Sequence, residues 1–287
     1  MQCLWMLAAS FFFSIMAACT KWGASFGFGT FELLFYRQIV AVLLILGWVF
    51  YEGKTLLNPL LGAHIKRSLL GTAALMVWMW ALGILPLSTA MTLNYTNPLF
   101  MAGIVTFITL RHHGRIQYKL LGLLVVGFIG VAMILRPRVP GSDSWVGWFG
   151  LSSGLLAALA QFQVRQMARL REPAWRIVFF FTLTGAVFGL GGHFVTGRTL
   201  TTITWSNVWS LLGLSLSGVA AQLCMTKAWS GGNVLVTSSF QYFAIIFASI
   251  EGLVFFGETM SMVSIIGVVL IALAGMGATM EQRKKKA

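Results

Sequence analysis

Asn94, Tyr95 and Asn97 interrupt one long apolar stretch, and Gln241 and Tyr242 interrupt another, with Tyr95 and Tyr242 separated by 147 residues. Amide and phenol groups both donate and accept hydrogen bonds, so this set suits a polar or zwitterionic solute. The same groups can instead join helix to helix, at about 0.6 kcal/mol per contact, and the residues alone leave both readings open. Gln161 and Gln222 stand in comparable apolar surroundings. Trp78 and Trp80, two apart, point to different sides of a helix. Trp78 lies a turn from Ala74 and near Thr72, small residues that leave space for an aromatic cavity wall; ordinary packing is the alternative. Glu251 is an acid inside an apolar run, with Glu258 one heptad further on. It could exchange protons or bind a cation, or it could pair with Arg37 or snorkel to water. Arg37 reads as a structural or orienting charge.

Enzyme chemistry needs acid, base or metal groups converging at one depth. His64, His112, His113 and His193 read as loop or near-loop residues, Asp143 is the sole aspartate, and hydrolase and metalloprotease motifs are missing. Cys3, Cys19 and Cys224 have no disulfide or metal spacing. The residues therefore call for no catalytic group, metal or cofactor.

The elements that must position these groups follow from composition. Of 287 residues 58% are apolar and 9% charged, against roughly a quarter charged in soluble domains, and the mean hydropathy is +0.85. Continuous apolar runs near 3–21, 31–51, 68–85, 87–110, 118–135, 146–164, 176–196, 207–226, 233–256 and 261–280 are each long enough to cross a bilayer core of roughly 30 Å as a helix. Backbone groups in lipid must bond internally, so the expectation is an all-α integral membrane protein of ten spans. Met1 and Gln2 provide no basic leader, so the first helix is expected to stay.

The formal charge of +13 would suggest nucleic acid if the cations shared a soluble face, but they do not. With the N-terminus inside, the inner loops hold Lys54, Lys66, Arg67, Arg111, Arg115, Lys119, Arg165, Arg169, Arg171, Arg176 and Lys227, and the tail adds Arg283, Lys284, Lys285 and Lys286. The outer loops hold Lys21, Arg136, Arg138 and Arg198. This asymmetry puts both termini in the cytoplasm. The expected partners are the lipid bilayer and a small-molecule substrate, with no nucleic acid. Close-packing glycines suit a monomer as well as a homodimer.

The chain also repeats itself. Ala81, Tyr95 and Phe100 recur as Ala228, Tyr242 and Phe247 at an offset of 147, and after a two-residue slip Gly122 and Gly130 match Gly267 and Gly275. Residues 1–143 and 144–287 then form two five-helix repeats, and an odd number of spans per repeat inverts the second. Such a pair can enclose a midplane site opened alternately to either face.

"ELLFYRQ" opening the second span, "REPAWRIVFFF" opening the seventh, and "AQLCMTKAW", "FASIEGLVFFGETMS" and "IIGVVLIALAG" in the last three resemble the EamA type of the drug/metabolite transporter superfamily over nearly the whole chain. "RHHGRI" departs from the acidic turn usual at the first-repeat equivalent. The resemblance implies a bacterial inner-membrane carrier, with its cavity lined by helices 1, 3, 4, 6, 8 and 9. Such carriers often export amino acids or related metabolites, while some relatives import compounds such as S-adenosylmethionine or riboflavin.

Overall fold

The computed structural model describes residues 2–56, 60–82, 87–136, 144–197, 199–257 and 259–284. Arg138, Asp143, Arg198, Glu258, Lys285 and Lys286 lie outside them. The described chain is helical throughout, without strands: α1 (Gln2–Ser25), α2 (Thr30–Tyr51), α3 (Leu61–Leu82), α4 (Leu87–Asn94), α5 (Asn97–Arg111), α6 (Tyr118–Leu135), α7 (Ser144–Arg169), α8 (Ala174–Val195), α9 (Val208–Trp229), α10 (Val234–Gln241), α11 (Phe243–Phe256) and α12 (Met262–Lys284). Among the described residues, seven stretches are long and apolar enough to cross a membrane: α1, α2, α6, α8, α9, α10 with α11, and α12.

Local chemistry sets the helix ends. Glu32 closes the first turn of α2 by accepting from the Gly29 backbone N–H at 3.2 Å. It also accepts from the backbone N–H and hydroxyl of Thr201 at 2.8 and 3.0 Å, tying α2 to the segment before α9. Pro173 starts α8, Asn233 caps α10 by accepting from Leu235 N–H at 2.9 Å, and Gly257 ends α11 at φ 63°, a left-handed conformation that costs glycine little.

Two stretches expected to be continuous are each broken. In the first, Pro98 stands at the start of α5, where its missing N–H and fixed φ favour a new helix over continuation of α4. The second breaks at Tyr242 without a proline, so its cause is tertiary. The Tyr242 ring fills space that a side chain at Gly127 of α6 would occupy, since a Cβ there would lie 2.8 Å from it. Phe243 similarly lies 2.6 Å from where a Cβ of Gly275 would stand on α12.

α3 starts at Leu61, seven residues before the apolar run, because His64 and Arg67 are buried instead of lying in a loop. α1 packs chiefly on α9, α3 on α7, α2 on α8, and α6 on α12. At the last contact Gly130 and Gly267 meet backbone to backbone, each carbonyl lying 2.6 Å from where the other's Cβ would be. Gly122, the sequence counterpart of Gly267, has open space beside it, so glycines matched in sequence are not equivalently packed.

Candidate functional site

The first helix break is set into α7. Gly154 leaves room for the corner: a Cβ there would stand 2.9 Å from the Leu93 carbonyl and would also meet the Thr96 hydroxyl, and one at Gly150 would be 2.7 Å from Leu93 Cδ1. Asn94 Nδ2 donates to Ser153 Oγ at 3.4 Å, a long bond. Asn97 is buried, and its Oδ1 has no hydrogen-bond partner. At the second break Gln241 Oε1 and the hydroxyl of Tyr242 are likewise enclosed and unpartnered, although Tyr242 is wholly buried. Tyr95 and Tyr242 join one apolar cluster with Leu99 and Phe128, so the structure brings the two breaks together.

Gln161 on α7 and Gln222 on α9 are buried on contacting helices, each with Oε1 unpartnered. Trp78 is half-buried with its Nε1 enclosed and unpartnered, whereas Trp80 is exposed and edges against Phe149 at 5.2 Å. These two indoles do point apart. A buried polar atom without a partner costs about 1–3 kcal/mol, and intramembrane polar groups usually face the bundle interior or a wet cavity. Such atoms occur on α3, α5, α7, α9 and α10.

Glu251 accepts from Ser14 Oγ at 2.7 Å through Oε1, while Oε2 is enclosed and unpartnered. The pairing with Arg37 that the sequence allowed is not formed. Arg37 instead passes over Gly218 of α9, with Nε 3.2 Å from where a Cβ would stand and Met16 Sδ beside it. One Glu251 oxygen is thus fixed to α1 and the other bonds to nothing among the described residues. Glu258, its heptad neighbour, is outside the described residues.

Sequence reasoning missed a buried polar cluster where α3 meets the α7–α8 turn. His64, wholly buried and 4.5 Å from the Phe180 ring, bonds through Nε2 to Glu172 Oε1 at 3.1 Å. Arg176 Nη1 donates to the same oxygen at 3.1 Å and Nη2 to the Thr55 carbonyl at 2.9 Å. Arg67 lies beside them with Cζ 4.0 Å from the Phe181 ring. The signal was present as His64 and Arg67 three apart, a helix-face spacing, and as Glu172 just before Pro173 with Arg176 in the first turn that follows. Counting these residues as loop charges hid it. An apolar groove of about 420 Å³ between α5 and α6, lined by Leu99, Phe107, Leu121 and Val125 among others, contains none of these polar groups.

The model of the EamA-like transporter family matches residues 1–136 and 144–280. The chain belongs to this family. Among its EamA relatives, the pseudopaline exporter CntI of Pseudomonas aeruginosa (strain UCBPP-PA14) is 28% identical over 270 residues, covering 93% of this chain and 91% of that protein. An S-adenosylmethionine uptake transporter of Rickettsia felis is 25% identical over 256 residues, covering 89% and 84%. A solved crystal structure superposes with a TM-score of 0.85 over 100% of this chain and 99% of that one, at 16% identity, a likeness of fold. As an EamA member with seven apolar crossing-length stretches, this chain is a multi-pass membrane transporter.

Proposed function

We propose that this transporter is a ten-span secondary carrier working by alternating access, with two inverted five-helix repeats at 1–143 and 144–287 and both termini in the cytoplasm of the bacterial inner membrane. In this reading α4 with α5, and α10 with α11, each count as one span. Helix packing supports the repeat: exchanging the halves turns the α1–α9 contact into α7–α3, and returns α2–α8 and α6–α12 to themselves. Its cargo is a small polar metabolite, an amino acid or related compound, carried outward, and its role is movement of solute without chemical change.

The observation that carries the proposal is the set of enclosed, unpartnered polar atoms on Asn97, Gln241 and Tyr242 at the two helix breaks and on Gln161 and Gln222 of α7 and α9. Asn94, Tyr95 and Trp78 complete the wall. Glu251 supplies the coupling group through its unpartnered Oε2, and Arg37 an orienting charge. The Rickettsia relative, named for uptake, favours a second reading, inward carriage of a cofactor-like metabolite.

The test is release from sealed proteoliposomes loaded with amino acids, cofactors and nucleosides, with and without an imposed pH gradient, read by mass spectrometry. Selective loss of one class, abolished in Tyr95→Ala and Gln241→Ala, is the expected result. Dependence on the gradient that vanishes in Glu251→Gln assigns coupling to that carboxylate. Selective binding with no movement in either direction would make the protein a receptor or scaffold and sink the carrier reading.

A further inference from the structure

Arg67 is an anomaly by the usual rules for burying charge. It is 3% exposed, its Nε and Nη1 are enclosed without a hydrogen-bond partner, and its closest organised contact is the face of Phe181. Its position is built. At Gly71, one turn along α3, a Cβ would stand 2.7 Å from Nη1 and 3.0 Å from the Phe181 ring, so only a glycine leaves the slot in which the guanidinium lies. Glu172 Oε1 serves both His64 and Arg176, and among the described residues no ion pair joins Glu172 to Arg67. Next to Arg67 on α3, Ser68 and Thr72 are 1% exposed, and their hydroxyls have no partner.

A buried cation without a counter-charge is costly, and an aromatic face offsets a small part of that cost. Arginine presents a planar fork of N–H donors that matches a carboxylate or phosphate in two parallel bonds, and it stays charged throughout. Ser68 and Thr72, four apart, share a face of α3 turned about 100° or more from Arg67, and their hydroxyls have no partner, so they can donate to a solute that spans both faces. The site is at the end of α3 that the charge distribution assigns to the cytoplasm, below the His64–Glu172–Arg176 contact that holds α3 to the α7–α8 turn.

We infer that Arg67, with Ser68 and Thr72, binds an oxyanion group, carboxylate or phosphate, of the transported solute. The inference rests on the carrier reading and narrows it to cargo bearing such a group. A lipid headgroup phosphate shares this chemistry, so the test must separate the two sources.

The full-length protein is followed by thermal unfolding in detergent with succinate or inorganic phosphate, against succinamide at matched ionic strength. It is then followed in nanodiscs with and without phosphatidylglycerol. Both soluble anions, and not succinamide, are expected to raise the midpoint of the wild type. Arg67→Gln is expected to unfold no earlier than wild type without anion, and to bind the anions about tenfold or more weakly, the scale of a lost charge-assisted bond. Arg67→Lys should fall between, as an ammonium lacks the fork. Thr72→Val, nearly isosteric, should weaken anion binding severalfold, and this serves if the Arg67 variants fail to fold. Equal anion response in wild type and Arg67→Gln, or no response in wild type, overturns the inference. Loss confined to the phosphatidylglycerol effect overturns it in favour of a headgroup. Release of neutral solutes by Arg67→Gln would keep the carrier reading even then, whereas a wild type that releases nothing would defeat the carrier reading itself.

Discussion

Two polar regions of this membrane protein are built on opposite terms. Where α3 meets the α7–α8 turn, His64, Glu172 and Arg176 share bonds of 3.1 Å and close on the Thr55 carbonyl. At the helix breaks Asn97, Gln241 and Tyr242, and on α7 and α9 Gln161 and Gln222, each bury a polar atom that bonds to nothing among the described residues. The first region offsets most of its desolvation by pairing, with Arg176 Nε an enclosed atom left over, and holds elements together. The second takes the desolvation cost without a return inside the chain. Polarity at depth alone therefore does not mark a site; under the carrier proposal, the amides and phenol left uncommitted are the candidates for meeting cargo.

The largest effect that tests this contrast is Glu172→Ala. Removing the acceptor leaves His64 buried and Arg176 half-buried without it, and breaking a buried pair costs up to about 3–5 kcal/mol. A loss well under 1 kcal/mol in denaturant unfolding would show that the cluster is not structural. Gly154→Ala comes next. Its methyl group would meet the Leu93 carbonyl at 2.9 Å, backbone that cannot swing aside, so overpacking should cost about 1–3 kcal/mol and misplace the first break. Gly122→Ala is the control: open space surrounds it, and the helical preference for alanine makes it neutral or stabilising by up to about 1 kcal/mol. Equal destabilisation by both would show that the glycines act through flexibility and not fit.

The sequence showed most of the frame because the apolar runs are long and the solvent is lipid. The ends of α2, α6, α8 and α9 fall within a few residues of the runs. The first break was readable in Pro98. The second was not, because it depends on Gly127 and Gly275, distant in sequence, making room for Tyr242 and Phe243. The candidate polar residues were visible by type, but whether Gln222 bonds to a neighbour is a property of packing that no spacing encodes. Arg67 and His64 were misread for the same reason: a cation at the edge of an apolar run looks like a loop charge until the helix is seen to begin at Leu61.

Gln161→Leu and Gln222→Leu carry the comparison into function. Each removes an enclosed carbonyl oxygen that has no partner, so unfolding stability should change by less than about 1 kcal/mol in either direction. Solute release should fall tenfold or more if the amide meets the cargo, a loss of about 1.4 kcal/mol of differential binding. A variant that loses stability and release together would move its glutamine to the structural class.

Tyr242→Phe is the smallest change and separates the two regions most finely, since it deletes one oxygen from a side chain that is 0% exposed. The ring, which fits against Gly127 and lies 6.4 Å from Phe128, is kept, so the second helix break should persist. Removing a buried hydroxyl that bonds to nothing should leave the protein as stable or more stable by up to about 1 kcal/mol. If the hydroxyl serves cargo, release slows while the unfolding midpoint holds or rises. If both stay at wild-type values, Tyr242 shapes the break with its ring alone, and recognition belongs to the amides beside it.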